Sequence, residues 1–324
     1  SWSTYLAPDY DDRTRLLTLR ELMALLGMFC VIAIPAVVEL YDTSLTAKVS
    51  AIGIFVLICI PLITVNGLYH VPDTKTEKVL AKVENPFVTF KSLFTNSMLN
   101  KIVLAAALIA FCMSLNGALY LIWMDVVMEL PEYSSRLMLM YYFVSVLGLA
   151  IWRHLSIKTS KHFAAGVSCV YAVIILLLGF AGFFVIRDLE TDIKLIAVGS
   201  FIVLYGFSFS GPMPLINAII ADISDKLALD HDENISGTVF SYLTTITKVG
   251  FGLAAVIPYL VLELIWGFDI NLGVDNTESS KMAIYYIYTF VPIVCYCIAS
   301  YMLFSHSLGR EEHEKIKSSI KESS

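Results

Sequence analysis

The chain has 324 residues, of which 57% are hydrophobic and only 15% charged, against roughly 25% charged in an ordinary soluble protein. With a mean hydropathy of +0.75, so few charges cannot cover a water-soluble domain of this length, and lipid must be part of the solvent. The net charge of −6 brings no basic patch that would take nucleic acid, and all six cysteines fall in apolar stretches without disulfide or metal-site spacing.

A membrane-crossing helix needs about 20 mostly apolar residues, and backbone in lipid must satisfy its own hydrogen bonds. The chain opens at Ser1 with a polar, charged stretch, as expected of a protein that lacks its beginning. Eight segments then meet the test: Arg20 to Tyr41, Val49 to Tyr69, Lys101 to Met124, Ser134 to Trp152, Phe163 to Ile186, Ile193 to Ala221, Ile235 to Trp266 and Met282 to Ser305. The fold class predicted is all-α, a polytopic membrane protein.

Lysines and arginines divide unequally between the two sets of alternate loops, fifteen on one side and five on the other. Positive charge collects on the cytoplasmic side, so both termini are expected there. The long connection Val71 to Asn100 is then cytoplasmic. Within it Phe87, Phe90, Phe94 and Met98 recur at helical spacing, which reads as an amphipathic helix on the membrane surface. The sequon Asn234-Ile-Ser236 falls on the same side, where it should not be glycosylated.

Charges inside spans are costly and point to cavities or partners. Lys248 is the sharpest instance, with thirteen uncharged residues before it from Ile235 and fourteen after it to Leu262. A lysine at that depth needs a carboxylate, carbonyls or water, and Gly250 and Gly252 beside it would let a neighbouring backbone approach closely. Arg20 and Glu21 open the first span; arginines at helix ends commonly snorkel to the interface. Glu39 and Glu263 lie near the opposite ends of their spans and read as interfacial. Asn66, Asn116 and Asn217 could bind a hydroxylated ligand or serve as hydrogen-bonding glue between helices.

The run Gly206-Phe-Ser-Phe-Ser-Gly-Pro-Met-Pro214 puts two glycines and two prolines in one apolar span. Proline removes a backbone donor and clashes one turn back, so a kink or break is predicted there; broken helices often mark transporter binding sites. Asp222 and Asp225 share a face where this helix leaves the membrane, as gate carboxylates or as solvated end residues. No G-x-S-x-G, H-E-x-x-H or phosphate-cradling glycine loop is present, and an enzyme is not expected.

Several stretches resemble a known family. Ala7-Pro-Asp-Tyr-Asp-Asp-Arg-Thr-Arg-Leu16 with Leu19-Arg20 resembles the loop after the fourth helix of the glycoside-pentoside-hexuronide:cation symporters, the melibiose-permease-like branch of the major facilitator superfamily. Ser92-Leu-Phe-Thr-Asn96 resembles the approach to that family's seventh helix. Pro214-Leu-Ile-Asn-Ala-Ile-Ile-Ala-Asp-Ile-Ser-Asp225 resembles its tenth helix and A-D-x-x-D ending, and Phe240-Ser-Tyr-Leu-Thr-Thr-Ile-Thr-Lys-Val-Gly-Phe-Gly252 its eleventh.

The resemblance implies that the eight spans are helices five to twelve of twelve. Residues 1–70 would be the remainder of the N-terminal half, 71–100 the loop between halves, 101–305 the six-helix C-terminal half and 306–324 a cytoplasmic tail. It further implies substrate-binding roles for Arg20 and Lys248, a sugar-stacking role for Trp2, and a gating role for Asp222 and Asp225. Asn217, within the tenth-helix match, joins the candidate substrate contacts. The family's cation-binding carboxylates lie on its helices two and four, before Ser1 in this register, and the segment Arg153 to Lys161 lacks the usual glycine of the superfamily's loop motif.

The function expected is symport of a sugar or glycoside with Na+ or H+, by alternating access. The expected protein is a monomer in a bacterial cytoplasmic (inner) membrane, with no cofactor and no metal ligated by this chain. Transport of an amphipathic lipid such as a lysophospholipid by the same fold, and a non-transporting membrane binding subunit, are the alternatives. Reporter fusions at either end of the chain are expected to be active only on the cytoplasmic side; an extracytoplasmic signal from either end refutes the topology.

Overall fold

The computed structural model describes residue 23 and residues 27–42, 44–70, 93–231 and 236–305. Their regular structure is helical. We number the helices α1 (Gly27–Val38), α2 (Leu45–His70), α3 (Ser97–Ile122), α4 (Ser134–Lys158), α5 (Lys161–Ile186), α6 (Thr191–Phe209), α7 (Pro212–His231), α8 (Ser236–Trp266) and α9 (Glu278–Phe304). Among the described residues, seven stretches are long and apolar enough to cross a membrane, α6 and α7 counting together as one. The expected first span, Arg20 to Tyr41, is described as helix through Val38, and the amphipathic segment proposed around Phe87 falls mostly outside the described residues.

The chain divides into two compact units. One holds Ser1–Val83 with Glu132–Leu139, the other Glu84–Pro131 with Met140–Ser324. In the first unit none of the most apolar window of α2 is buried, as befits a helix whose solvent is lipid.

In the second unit α3 is the central helix, packed against α7, α8 and α9. Leu99, Ile102, Ile109 and Leu115 of α3 are fully buried, together with Ile216, Ile219, Ile220 and Ile223 of α7. Lipid tails are as apolar as leucine, so this core is held by close packing and interhelical hydrogen bonds rather than by escape from water. Asn116 Nδ2 donates to the Tyr205 hydroxyl at 2.5 Å, joining α3 to α6. Of the three membrane asparagines, Asn116 is the interhelical glue; Asn66 and Asn217 are exposed. The cysteines divide too: Cys112 and Cys169 are buried, Cys59 and Cys295 half-buried, and Cys30 and Cys297 exposed, so only two are core residues in full.

The kink expected in the sixth span is a break between α6 and α7. Gly211 N–H bonds to Ser208 O rather than to the carbonyl four residues back. That carbonyl, on Phe207, instead accepts from Trp152 Nε1 at 2.6 Å, so the broken ladder leaves no orphan there. Pro212 opens α7, where a helix needs no N–H. Glycines let α4 come close: a Cβ at Gly206 would lie 2.8 Å from Tyr141 O, and one at Gly148 2.8 Å from Phe207 O.

The contact of α8 with α3 is drawn along its whole length. Tyr242 Oη donates to Asn100 Oδ1 (2.8 Å), Ser114 Oγ to Phe251 O (2.9 Å) and Tyr259 Oη to Ala118 O (2.6 Å). Between these points Gly250 meets Ala107, where a Cβ would fall 2.7 Å from the carbonyl oxygen. Gly252, grouped with Gly250 in the sequence reading, has open space around it instead. Gly250→Leu is therefore expected to destabilise the protein by about 1–3 kcal/mol through overpacking, and Gly252→Leu by less than about 0.5 kcal/mol, as measured by reversible unfolding in detergent.

Candidate functional site

A helix turns about 100° per residue, so seating Gly250 on α3 turns Lys248, two residues earlier, to the opposite side. Lys248 is indeed exposed. It stands twelve residues inside the start of α8, a depth of roughly 18 Å at 1.5 Å per residue. Among the described residues no carboxylate meets it. Its nearest described aromatic is Phe251, whose ring centroid lies 5.8 Å from Nζ, near the outer limit of a cation–π contact.

Lys248 does not stand alone on that face. Ser241, Thr244 and Thr245 precede it at spacings of seven, four and three, and all are exposed. Together with Phe240 and Val249 they line an open groove along α8. Ser241 Oγ donates to Gly237 O and Thr245 Oγ1 to Ser241 O, each at 2.8 Å. Both hydroxyls have spent their proton on their own helix and offer lone pairs outward, beside a cation that offers three protons. Such a face can take a solute with several hydroxyl groups, and it is expensive to leave against lipid. The spacing of these hydroxyls is visible in Ser241-Tyr-Leu-Thr-Thr-Ile-Thr-Lys248, but serine and threonine are common between membrane helices and signal little until their shared face is seen.

The other candidate residues separate. Asn217 is exposed on α7, with its side chain free of the packing that holds Asn116. Asp222, midway along α7, pairs with Lys161 at the start of α5, Nζ to Oδ2 2.5 Å, and the same ammonium reaches Ala218 O at 3.4 Å. The carboxylate is thus an interhelical tie and not only a solvated end residue. Asp225 lies on the same helix, and its side chain is outside the described set, as are Trp2 and Arg20 altogether.

Glu39 departs from its reading as an interfacial residue. It sits in the turn after α1 with a side chain of zero exposure, 2.5 Å from Lys48 Nζ, which is itself 8% exposed. Its Oε1 also accepts from Ser134 Oγ (3.2 Å) and Ser135 N (3.1 Å), and Oε2 from Arg136 N (3.2 Å) and Nε (3.5 Å). A carboxylate is placed where the first N–H groups of α4 have no helical partner and carry the positive end of the helix dipole. Nothing in the local sequence announces this, because Lys48 and Ser134 meet Glu39 only in the fold. In the following loop Asp42 accepts from Ser44 N at 2.8 Å. The Ser44 backbone and hydroxyl hold its carboxyl below the usual range.

Among the described residues, no three His, Cys, Asp or Glu side chains cluster as metal ligands would. A family model described as MFS/sugar transport protein matches residues 1–310. No curated protein matches the chain.

Removing one partner of a buried ion pair leaves the other charge uncompensated, at a cost of about 3–5 kcal/mol. Glu39→Ala is expected to show a loss of that size in unfolding measurements, and Glu39→Ala combined with Lys48→Met to recover most of it. Equal losses in the single and double variants would show that Lys48 is not the partner that matters.

Proposed function

The chain belongs to the MFS/sugar transport protein family, and from that premise we propose that it is a melibiose-permease-like symporter. It moves a sugar or glycoside together with Na+ or H+ by alternating access. It is an integral multi-pass membrane protein with seven membrane-length helices among the described residues, and its class is that of the major facilitator transporters. The observation that carries the finer reading is the polar face of α8, where Lys248 stands among Ser241, Thr244 and Thr245 at mid-membrane depth.

Each feature of that face suits a polyhydroxylated solute. The hydroxyl lone pairs accept from sugar hydroxyls, the ammonium donates to their oxygens, and Phe240 and Phe251 give apolar surface for the carbon faces of a ring. An amphipathic lipid would gain nothing from three serine and threonine hydroxyls in a row, so the same face favours the sugar over a lysophospholipid. Arg20, Trp2 and Asn217 are proposed to complete the substrate contacts. Lys161 and Asp222, with Asp225, are proposed as a tie that holds the cytoplasmic side in one of the two access states and opens in the other. In this reading both termini are cytoplasmic, the 71–100 segment joins the two halves, and the protein acts as a monomer.

The test is uptake of labelled glycosides into vesicles containing the full-length protein, under imposed Na+ or proton gradients. Uptake that follows a gradient is expected. Lys248→Ala should reduce it about 10- to 100-fold, the equivalent of one charge-assisted hydrogen bond; wild-type rates in that variant would sink the assignment. Gradient-driven uptake of a lysophospholipid alone would replace the substrate class.

A further inference from the structure

A second cavity in the second unit lies away from the α8 groove and shares no lining residue with it. A cavity of about 230 Å³ runs between α5, α6 and α9, walled by Ile175, Leu176, Phe180, Phe201 and Tyr288, with Trp123 also in its lining. It exceeds the roughly 150 Å³ of an apolar cavity that stays dry and binds benzene. Leu178 and Leu204 line it while remaining 61% and 45% exposed, so the cavity opens on the lipid-facing surface rather than on a buried core.

Its length has a natural measure. The lining residues on α5 run from Ile175 to Ile186, eleven steps of 1.5 Å or about 16 Å. Half of a hydrocarbon core about 30 Å thick is about 15 Å. The cavity is one leaflet deep.

At its outer end it adjoins a second, polar cavity of about 130 Å³, with Phe183 in the wall of both. Arg187, Lys194 and Lys281 line this polar space with Glu129, Asp188 and Glu278. Arg187 Nη2 pairs with Glu278 Oε2 at 2.8 Å, and Lys281 Nζ with Glu278 Oε1 at 3.3 Å. Lys194 is half-buried and meets no carboxylate among the described residues. Arg187 Nε also lies 3.6 Å from Asp188 Oδ1, so of the three cations Lys194 is the one without a described carboxylate partner, at the polar end of the leaflet-deep cavity.

We propose that this paired cavity is a phospholipid site. One acyl chain fills the space between α5, α6 and α9, and the phosphate lies against Lys194 with Arg187 and Lys281 beside it. Glu129 and Asp188 face the cationic end of a zwitterionic headgroup, while Glu278 stays paired with Arg187 and Lys281. The lipid is a resident of the bilayer-facing side and not the transported solute, so the site is independent of the sugar reading.

Gly182 offers a clean probe, since it lines the cavity and a Cβ there would meet nothing within 4 Å. Gly182→Phe should fill the space without disturbing the helices, whereas a Cβ at Gly179 would strike the Phe201 ring at 2.5 Å. The experiment is native mass spectrometry of the full-length protein in detergent, titrated with palmitoyl-oleoyl-phosphatidylcholine. Wild-type protein is expected to keep one lipid at detergent levels that strip the rest. Gly182→Phe should lose that adduct, and Lys194→Gln should bind it about tenfold more weakly, as for a lost charge-assisted hydrogen bond. Equal retention by the wild type and both variants would overturn the site. If Gly182→Phe does not unfold as cooperatively as the wild type, Lys194→Gln decides the matter alone.

Discussion

The approach of α8 to α3 at Gly250 sets the rotation of α8, and the placement of Lys248 and the hydroxyls beside it follows from that rotation. With only hydrogen at Gly250, the helix axes come close enough for Ala107 O to lie where a side chain would otherwise stand. Hydrogen bonds from Tyr242, Ser114 and Tyr259 hold the contact at three further levels. A helix pinned at four points cannot turn, and the residues opposite the seam are therefore committed to the outside of the unit. In a membrane that outside should be apolar. Here it carries a lysine and three hydroxyls on one face, a surface that is costly to set against hydrocarbon.

The same economy of small residues governs the break between α6 and α7. Gly206 and Gly148 let α4 pack against α6 with backbone nearly touching backbone, and Trp152 takes the carbonyl that the break releases. A proline-interrupted span needs such a partner, since an unpaired carbonyl in hydrocarbon costs several kcal/mol. The break is therefore a stable joint. From it α7 runs on with Asn217 exposed and Asp222, midway along, tied to Lys161.

Charge in the described structure falls into three kinds of setting, and their physics differs. Glu39 and Lys48 are buried together, so the pair matters chiefly because neither can be left alone. Lys161 and Asp222 are partly exposed, and such ties are worth under about 1 kcal/mol. Lys248 meets no carboxylate among the described residues, and its Nζ lies 5.8 Å from the ring centroid of Phe251 on its own helix.

How much of this was legible beforehand depends on the range of the interaction. Lys248 stood out because a charge inside an uncharged run of residues is a one-dimensional fact, and the break at Gly206 to Pro214 because proline and glycine act on their own backbone. The all-α membrane fold followed from composition, since only helices satisfy their hydrogen bonds within one apolar segment. What the chain alone could not say was which glycine faces a neighbour: Gly250 does and Gly252 does not, though they are two residues apart. Nor could it show that Glu39 is buried on Lys48 and the start of α4, or that α5, α6 and α9 leave a leaflet-deep cavity beside Lys194. Those facts depend on which helix faces come together across long separations in sequence, and helix faces are chosen by packing, which only the tertiary structure decides.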